Sequence, residues 1–165
     1  MPHDVMWTPW RMEFIAGPHM PGCFLCEKAR SPQKQDPANL VLLRGQRAYV
    51  LLNLYPYTNG HLLIAPYEHV GELEELDPET AGEMMRLTQC SVTVLKKGSD
   101  PAGFNIGLNL GRAAGAGVPD HVHIHVVPRW AGDVNFMATL GDTRLIPESL
   151  DQTFTRLLPL FHPPR

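Results

Sequence analysis

Residues 121–130 read HVHIHVVPRW, and the alternation of histidine with Val122, Ile124 and Val126 is the strongest structural constraint in the chain. Successive strand side chains point to opposite faces, whereas a helix would scatter these positions around its circumference. The spacing predicts a strand over 121–128, with His121, His123 and His125 on one face and the aliphatic side chains buried on the other. Three of the chain's eight histidines within five positions exceed what a solvated strand face requires. Imidazoles arranged in this way can supply a nucleophile and proton donors. They can equally form a catalytic tris-histidine zinc site, and spacing alone leaves both readings open.

One strand needs partners. VLLRG, AYVLLNLY and HLLIAP are short leucine-rich or β-branched runs, broken by Arg44-Gly45 and by the turn-forming stretch 56–60. They read as an antiparallel meander of three strands. GFNIGLN, at 103–109, supplies another strand, joined to the histidine strand by the loop LGRAAGAGVPD. Between these groups, Asp77-Pro78-Glu79 combines an N-cap carboxylate, a proline in the first turn and an acidic neighbour. Ala81, Met84, Thr88, Ser91, Val92 and Leu95 then recur at helical spacing, and Lys96-Lys97-Gly98 provides a basic last turn and a stop. One long helix over 78–97 and a short one over 147–160 follow. Strands and helices without strict alternation imply an α+β class, here five antiparallel strands with a long helix and a short C-terminal helix.

The organisation predicted is a proline-rich arm over 1–38, with little regular structure, laid on a single domain over 39–165. With 14 Lys+Arg against 17 Asp+Glu and a net charge of −3, no basic stripe is available for nucleic acid. The N-terminus lacks a basic and then apolar leader, and no apolar run is long enough for a membrane span, so a soluble cytoplasmic protein is expected. Three cysteines make no disulfide framework. Cys23-Phe-Leu-Cys26 alone is compatible with redox chemistry, zinc binding or two packed thiols, and Cys90 inside the helix reads as packing. Trp7, Trp10 and Trp130 fit packing of the arm or a subunit contact.

HVHIHVV matches the alternating signature of the histidine triad superfamily of nucleotide hydrolases and transferases, and the resemblance covers residues 40–132. NGHLLIAPYEHVGEL resembles the family's second segment, and Asn53 stands eight residues before His61, at the family's ribose-binding Asp or Asn. Within the superfamily, WTPWRMEFI, LNLYPY, GFNIGLNLG and HVVPRWAGD resemble the bacterial diadenosine tetraphosphate phosphorylase branch.

The resemblance implies that His123 attacks the α-phosphorus of a dinucleoside polyphosphate to form a nucleotidyl-histidine. His125 donates to the departing or non-bridging oxygen, His61 supports it, and His121 orients the strand. Water or inorganic phosphate then releases the nucleotide, without any metal in the chemistry. Asn53 is the expected ribose contact, Leu51 the base wall, and Asn109 a phosphate-side amide. Gly115, Gly117 and Val118 offer backbone N–H groups to phosphate oxygens. Gly117-Val118-Pro119 departs from relatives that carry Gln and a hydroxyl there, so backbone amides carry more of that role. The resemblance further implies a structural zinc on Cys23, Cys26, His69 and His121, and a homodimer.

The acceptor is divided by two signals: His125, rather than Gln, favours hydrolysis, and the flanking motifs favour phosphorolysis. Other readings are a HIT-family hydrolase of dinucleoside polyphosphates or nucleoside phosphoramidates, a nucleotide-binding regulator with little turnover, and the tris-histidine zinc hydrolase.

Overall fold

The computed structural model describes residues 22–133 and 146–162. Trp7, Trp10 and the first part of the arm lie outside the described residues. Five strands form one antiparallel sheet: β1 (Val41–Arg44), β2 (Ala48–Leu52), β3 (Leu62–Pro66), β4 (Gly103–Leu108) and β5 (Ile124–Arg129), in the order β1-β2-β3-β5-β4. The predicted meander is β1–β3. β5 then inserts between β3 and β4, which leaves β4 at the sheet edge.

Within the arm the expectation of little regular structure is corrected for residues 22–39. Phe24–Arg30 forms α1, and Asp36–Asn39 forms the single-turn α2. Leu25 of α1 is fully buried against Val41, Tyr49, Leu51, Leu63 and Ala65, and the Tyr49 hydroxyl donates to the Leu25 carbonyl at 2.7 Å. Burying one leucine contributes about 1.5–3 kcal/mol toward ordering a seven-residue helix that its own propensity would not hold, and Arg44 adds hydrogen bonds to the Ala29 and Lys28 carbonyls.

The opposite face of the sheet carries the larger core. Leu42, Val50, Leu52, Leu62, Ile64, Ile124 and Val126 meet Met84, Leu87, Val94 and Leu95 of α3 (Pro78–Ser99), and Phe154, Leu157 and Phe161 of α4 (Leu150–Phe161). The helix start is as anticipated: the Asp77 carboxylate accepts the Thr80 N–H at 3.0 Å with Pro78 in the first turn. α4 opens with a capping box between Ser149 and Gln152. Arg156 anchors it to the end of α3 through the Gly98 carbonyl and the Ser99 hydroxyl, both at 2.6 Å. Among the described residues, no helix is long and apolar enough to cross a membrane.

The histidine strand starts later than expected. Its ladder runs over 124–129, so His121 and His123 precede it. The cause lies in the hydrogen bonding: the Val122 N–H donates at 2.7 Å to the carbonyl of Val70, in the segment after β3, instead of joining the ladder. The two-faced alternation persists, since Val122, Ile124 and Val126 all enter the α3-side core.

Candidate active site and metal centre

Two imidazole clusters meet where the chain enters β5. In the first, the rings of His123 and His125 lie with centroids 4.8 Å apart, and those of His61 and His125 are 5.2 Å apart. His61, at the start of β3, is completely buried, and its Nδ1 receives the backbone N–H of Tyr57 at 3.1 Å. An N–H can only donate, so this ring nitrogen is the acceptor and the proton of neutral His61 sits on Nε2. His61 Nε2 lies 3.0 Å from His125 Nδ1 and donates to it. Neutral His125 therefore carries its own proton on Nε2. Tyr57 closes the β3 side of the pair, its ring stacked on His61 at 4.7 Å and beside His125 at 6.1 Å.

His123 has the complementary tautomer. Its Nδ1 is 2.8 Å from the backbone carbonyl of His121, which can only accept, so Nδ1 bears the proton and Nε2 presents a lone pair. Burial lowers the pKa of His123, partly offset by that carbonyl, and favours the neutral ring. The cluster thus places a nucleophilic nitrogen beside an N–H donor.

His121 turns its own ring the other way. Its Nε2–H donates to the Pro66 carbonyl at 3.0 Å, leaving Nδ1 as the lone-pair atom. Around that nitrogen stand Cys23 Sγ at 3.2 Å, His69 Nδ1 at 3.3 Å and Cys26 Sγ at 3.5 Å, with Cys26 Sγ also 3.3 Å from His69 Nδ1. One lone pair cannot accept from two thiols and a second imidazole at once. A tetrahedron with metal–sulfur distances of about 2.3 Å and metal–nitrogen distances of about 2.0 Å has edges of roughly 3.3–3.8 Å, close to the measured set. All four ligand atoms lie within 4.8 Å of one another. Burial, then the neighbouring Cys23, raises the Cys26 pKa, and burial pushes His121 down to about 4. The donor set and its geometry fit a zinc ion, with the Pro66 carbonyl orienting His121 from behind.

The other sequence-predicted residues fall as follows. The Asn53 carbonyl oxygen accepts the Tyr55 N–H at 3.0 Å, and its amide nitrogen lies 3.3 Å from His61 Nδ1, so the side chain braces the imidazole pair. Leu51 is 1% exposed beneath α1, which corrects its assignment as a base wall: it supports the site floor from the core. Asn109 lies one residue beyond the last β4–β5 ladder pair, at the position facing His123. Gly115 adopts φ 81°, but its N–H closes a turn onto the Arg112 carbonyl at 3.0 Å, so its amide is withdrawn from the predicted anion nest. The N–H groups of Gly117 and Val118 make no backbone hydrogen bond among the described residues. Trp130 donates its indole N–H to the Ser99 carbonyl at 3.2 Å, a packing role. Sequence reasoning missed Tyr57, whose backbone N–H sets the tautomer of His61; no side-chain pattern signals a main-chain donor.

The site is thus an antiparallel sheet whose fifth strand is entered through a buried imidazole with an unprotonated Nε2, His123, beside a half-buried one, His125, that receives its hydrogen bond from His61. The HIT domain family model matches residues 33–132, and the chain belongs to the HIT family. It is 43% identical over 154 residues to the AP-4-A phosphorylase of Mycobacterium tuberculosis, covering 90% of this chain and 79% of that protein. An adenosine 5'-monophosphoramidase of Schizosaccharomyces pombe is 35% identical over 107 residues, covering 65% of this chain and 74% of its relative. Among solved structures, a zinc-bound histidine triad protein from Mycobacterium smegmatis superposes with a TM-score of 0.67 at 26% identity, covering 86% and 94% of the two chains.

Proposed function

We propose that the protein cleaves dinucleoside polyphosphates such as diadenosine tetraphosphate by nucleotidyl transfer through His123, with inorganic phosphate as acceptor. The observation that carries the mechanism is the opposed tautomer pair, with His123 Nε2 bare and His125 Nε2 protonated. The 43% identity with a protein named a phosphorylase favours phosphate over water as the acceptor.

In the first step His123 Nε2 forms a bond to the α-phosphorus while the bond to the bridging oxygen breaks, and the electron pair leaves with the polyphosphate. The resulting imidazolium is stabilised because its Nδ1–H remains on the His121 carbonyl. A nucleoside triphosphate is a good leaving group, so a hydrogen bond from His125 Nε2 suffices and His125 stays neutral. A phosphate oxygen then attacks the same phosphorus and His123 departs. Diadenosine tetraphosphate yields ATP in the first step and ADP in the second; water in place of phosphate yields AMP.

Zinc on Cys23, Cys26, His69 and His121 would fasten α1 to the entry of β5 and take no part in these steps. Cys23, Cys26 and Cys90 form no disulfide, which suits a reducing cytoplasm. Two chains would pair through the β4 edge, where Ile106 is 49% exposed.

The test is incubation of diadenosine tetraphosphate with radiolabelled inorganic phosphate. Label appearing in ADP, at one ADP per ATP, is expected. ATP with AMP and no incorporated label would replace phosphorolysis by hydrolysis, and tight nucleotide binding without either product would indicate a regulator.

A further inference from the structure

Register places Leu51, Leu63, His125 and Gly107 in one row across the sheet, on the face opposite α3. The row is covered unevenly. Leu51 and Leu63 lie under α1, and His61 with Tyr57 closes the β3 side of His125. Gly107 is exposed.

A glycine inside a strand weakens it relative to alanine, so its presence calls for a reason. Backbone conformation is not the reason, because Gly107 does not have a positive φ. Nor does packing among the described residues supply the reason: a Cβ built at 107 meets none of them within 4 Å. Gly71, by contrast, would bring its Cβ to 3.1 Å from the Asp120 backbone.

From these observations we infer that Gly107 is a specificity-determining residue, the bare floor over which the leaving half of a two-ended nucleotide passes. The inference rests on the proposed reaction. If His123 attacks and His125 donates to the departing oxygen, the leaving group emerges beside His125, and among the described residues the side of that ring away from His61 and Tyr57 faces Gly107 of β4. Directly opposed antiparallel residues hold their Cβ atoms about 4.5–5.5 Å apart, so any branched side chain at 107 stands against the His125 ring and fills this exit.

The experiment compares wild type with Gly107→Ala and Gly107→Val by calorimetric binding of AMP and of a methylene-bridged diadenosine tetraphosphate that cannot be cleaved. Valine is a better strand former than glycine, so a melting temperature at or above wild type is expected, and lost binding cannot be ascribed to unfolding. The ratio of the two dissociation constants should shift at least tenfold against the bridged dinucleotide in Gly107→Val, with Gly107→Ala between. An unchanged ratio overturns the inference, whether both affinities persist or both fall together. So does a change confined to the oligomeric state by light scattering, which would assign the bare strip to a second copy of the chain. Failure of wild type to bind either ligand removes the proposed function itself, and an intact wild-type profile with an unchanged ratio removes only the role of Gly107.

Discussion

Replacing His61 with alanine tests the tautomer relay directly. The substitution removes the donor at 3.0 Å from His125 Nδ1 and frees His125 to place its proton on either nitrogen. A side-chain hydrogen bond contributes about 0.5–1.5 kcal/mol net, and a buried polar atom left unpaired costs about 1–3 kcal/mol. A penalty of about 1–3 kcal/mol on the transition state corresponds to a loss of roughly 5- to 150-fold in kcat/KM. Because His61 is completely buried, a cavity will also lower the melting temperature, so rate alone does not isolate the relay. A double-mutant cycle with His125→Ala does. If His61 acts through His125, the double variant should be no slower than His125→Ala alone, giving a coupling energy equal to the whole His61 effect. His61→Gln, whose amide N–H can reach the same acceptor, should recover part of the rate. Phosphate-dependent turnover of diadenosine tetraphosphate is the assay, and losses that simply add across the cycle would refute the relay.

Three further outcomes are expected. His123→Ala should abolish turnover while nucleotide affinity stays within about tenfold, or roughly 1.4 kcal/mol, measured by calorimetry; substantial residual turnover excludes this residue as the nucleophile. Elemental analysis should find about one zinc per chain, and Cys23→Ser should lower both zinc content and melting temperature because a structural site adds its binding free energy to folding; full zinc content in that variant would show the wrong ligands to have been joined. Tyr49→Phe removes the buried hydroxyl donated to Leu25 at 2.7 Å and should cost about 1–3 kcal/mol, a drop of roughly 2–12 °C in melting temperature for a chain of this size, with no change measured by thermal unfolding counting against the anchoring of α1.

Periodicity made much of this architecture legible. Alternation marked the histidine strand, short apolar runs between turn residues marked the first three strands, and the 3.6-residue recurrence with Asp77-Pro78 marked α3 to within two residues. What periodicity could not convey was pairing at a distance. Nothing local says that β5 inserts between β3 and β4, because that choice is made by burying Ile124 and Val126 against α3. α1 was illegible for a related reason: FLCEKAR is too short to show a helical period and is ordered by Leu25 meeting Tyr49 and Leu63 from elsewhere in the chain. Leu51 was misplaced because a strand pattern gives the face on which a residue lies and not what covers that face. The histidines and cysteines were legible as candidates, whereas their protonation states depend on main-chain groups of Tyr57, His121 and Pro66 that no residue pattern displays.

His121 shows why the two clusters are best understood together. Its ring nitrogen Nδ1 faces Cys23, Cys26 and His69, while its backbone carbonyl holds the Nδ1 proton of His123. The residue is fully buried, and its other ring nitrogen is tied to Pro66 at the end of β3, so ring and carbonyl are held in one fixed relation. Orientation of His123 is thereby set by a main-chain atom of a residue that contacts α1 and β3. A backbone acceptor suits this task, since its hydrogen bond raises the pKa of His123 by less than burial lowers it, so the net shift favours the neutral imidazole. In the proposed reaction the arm's cysteines therefore bear on the chemistry through one residue: the imidazole they face belongs to the residue whose carbonyl holds the Nδ1 proton of His123.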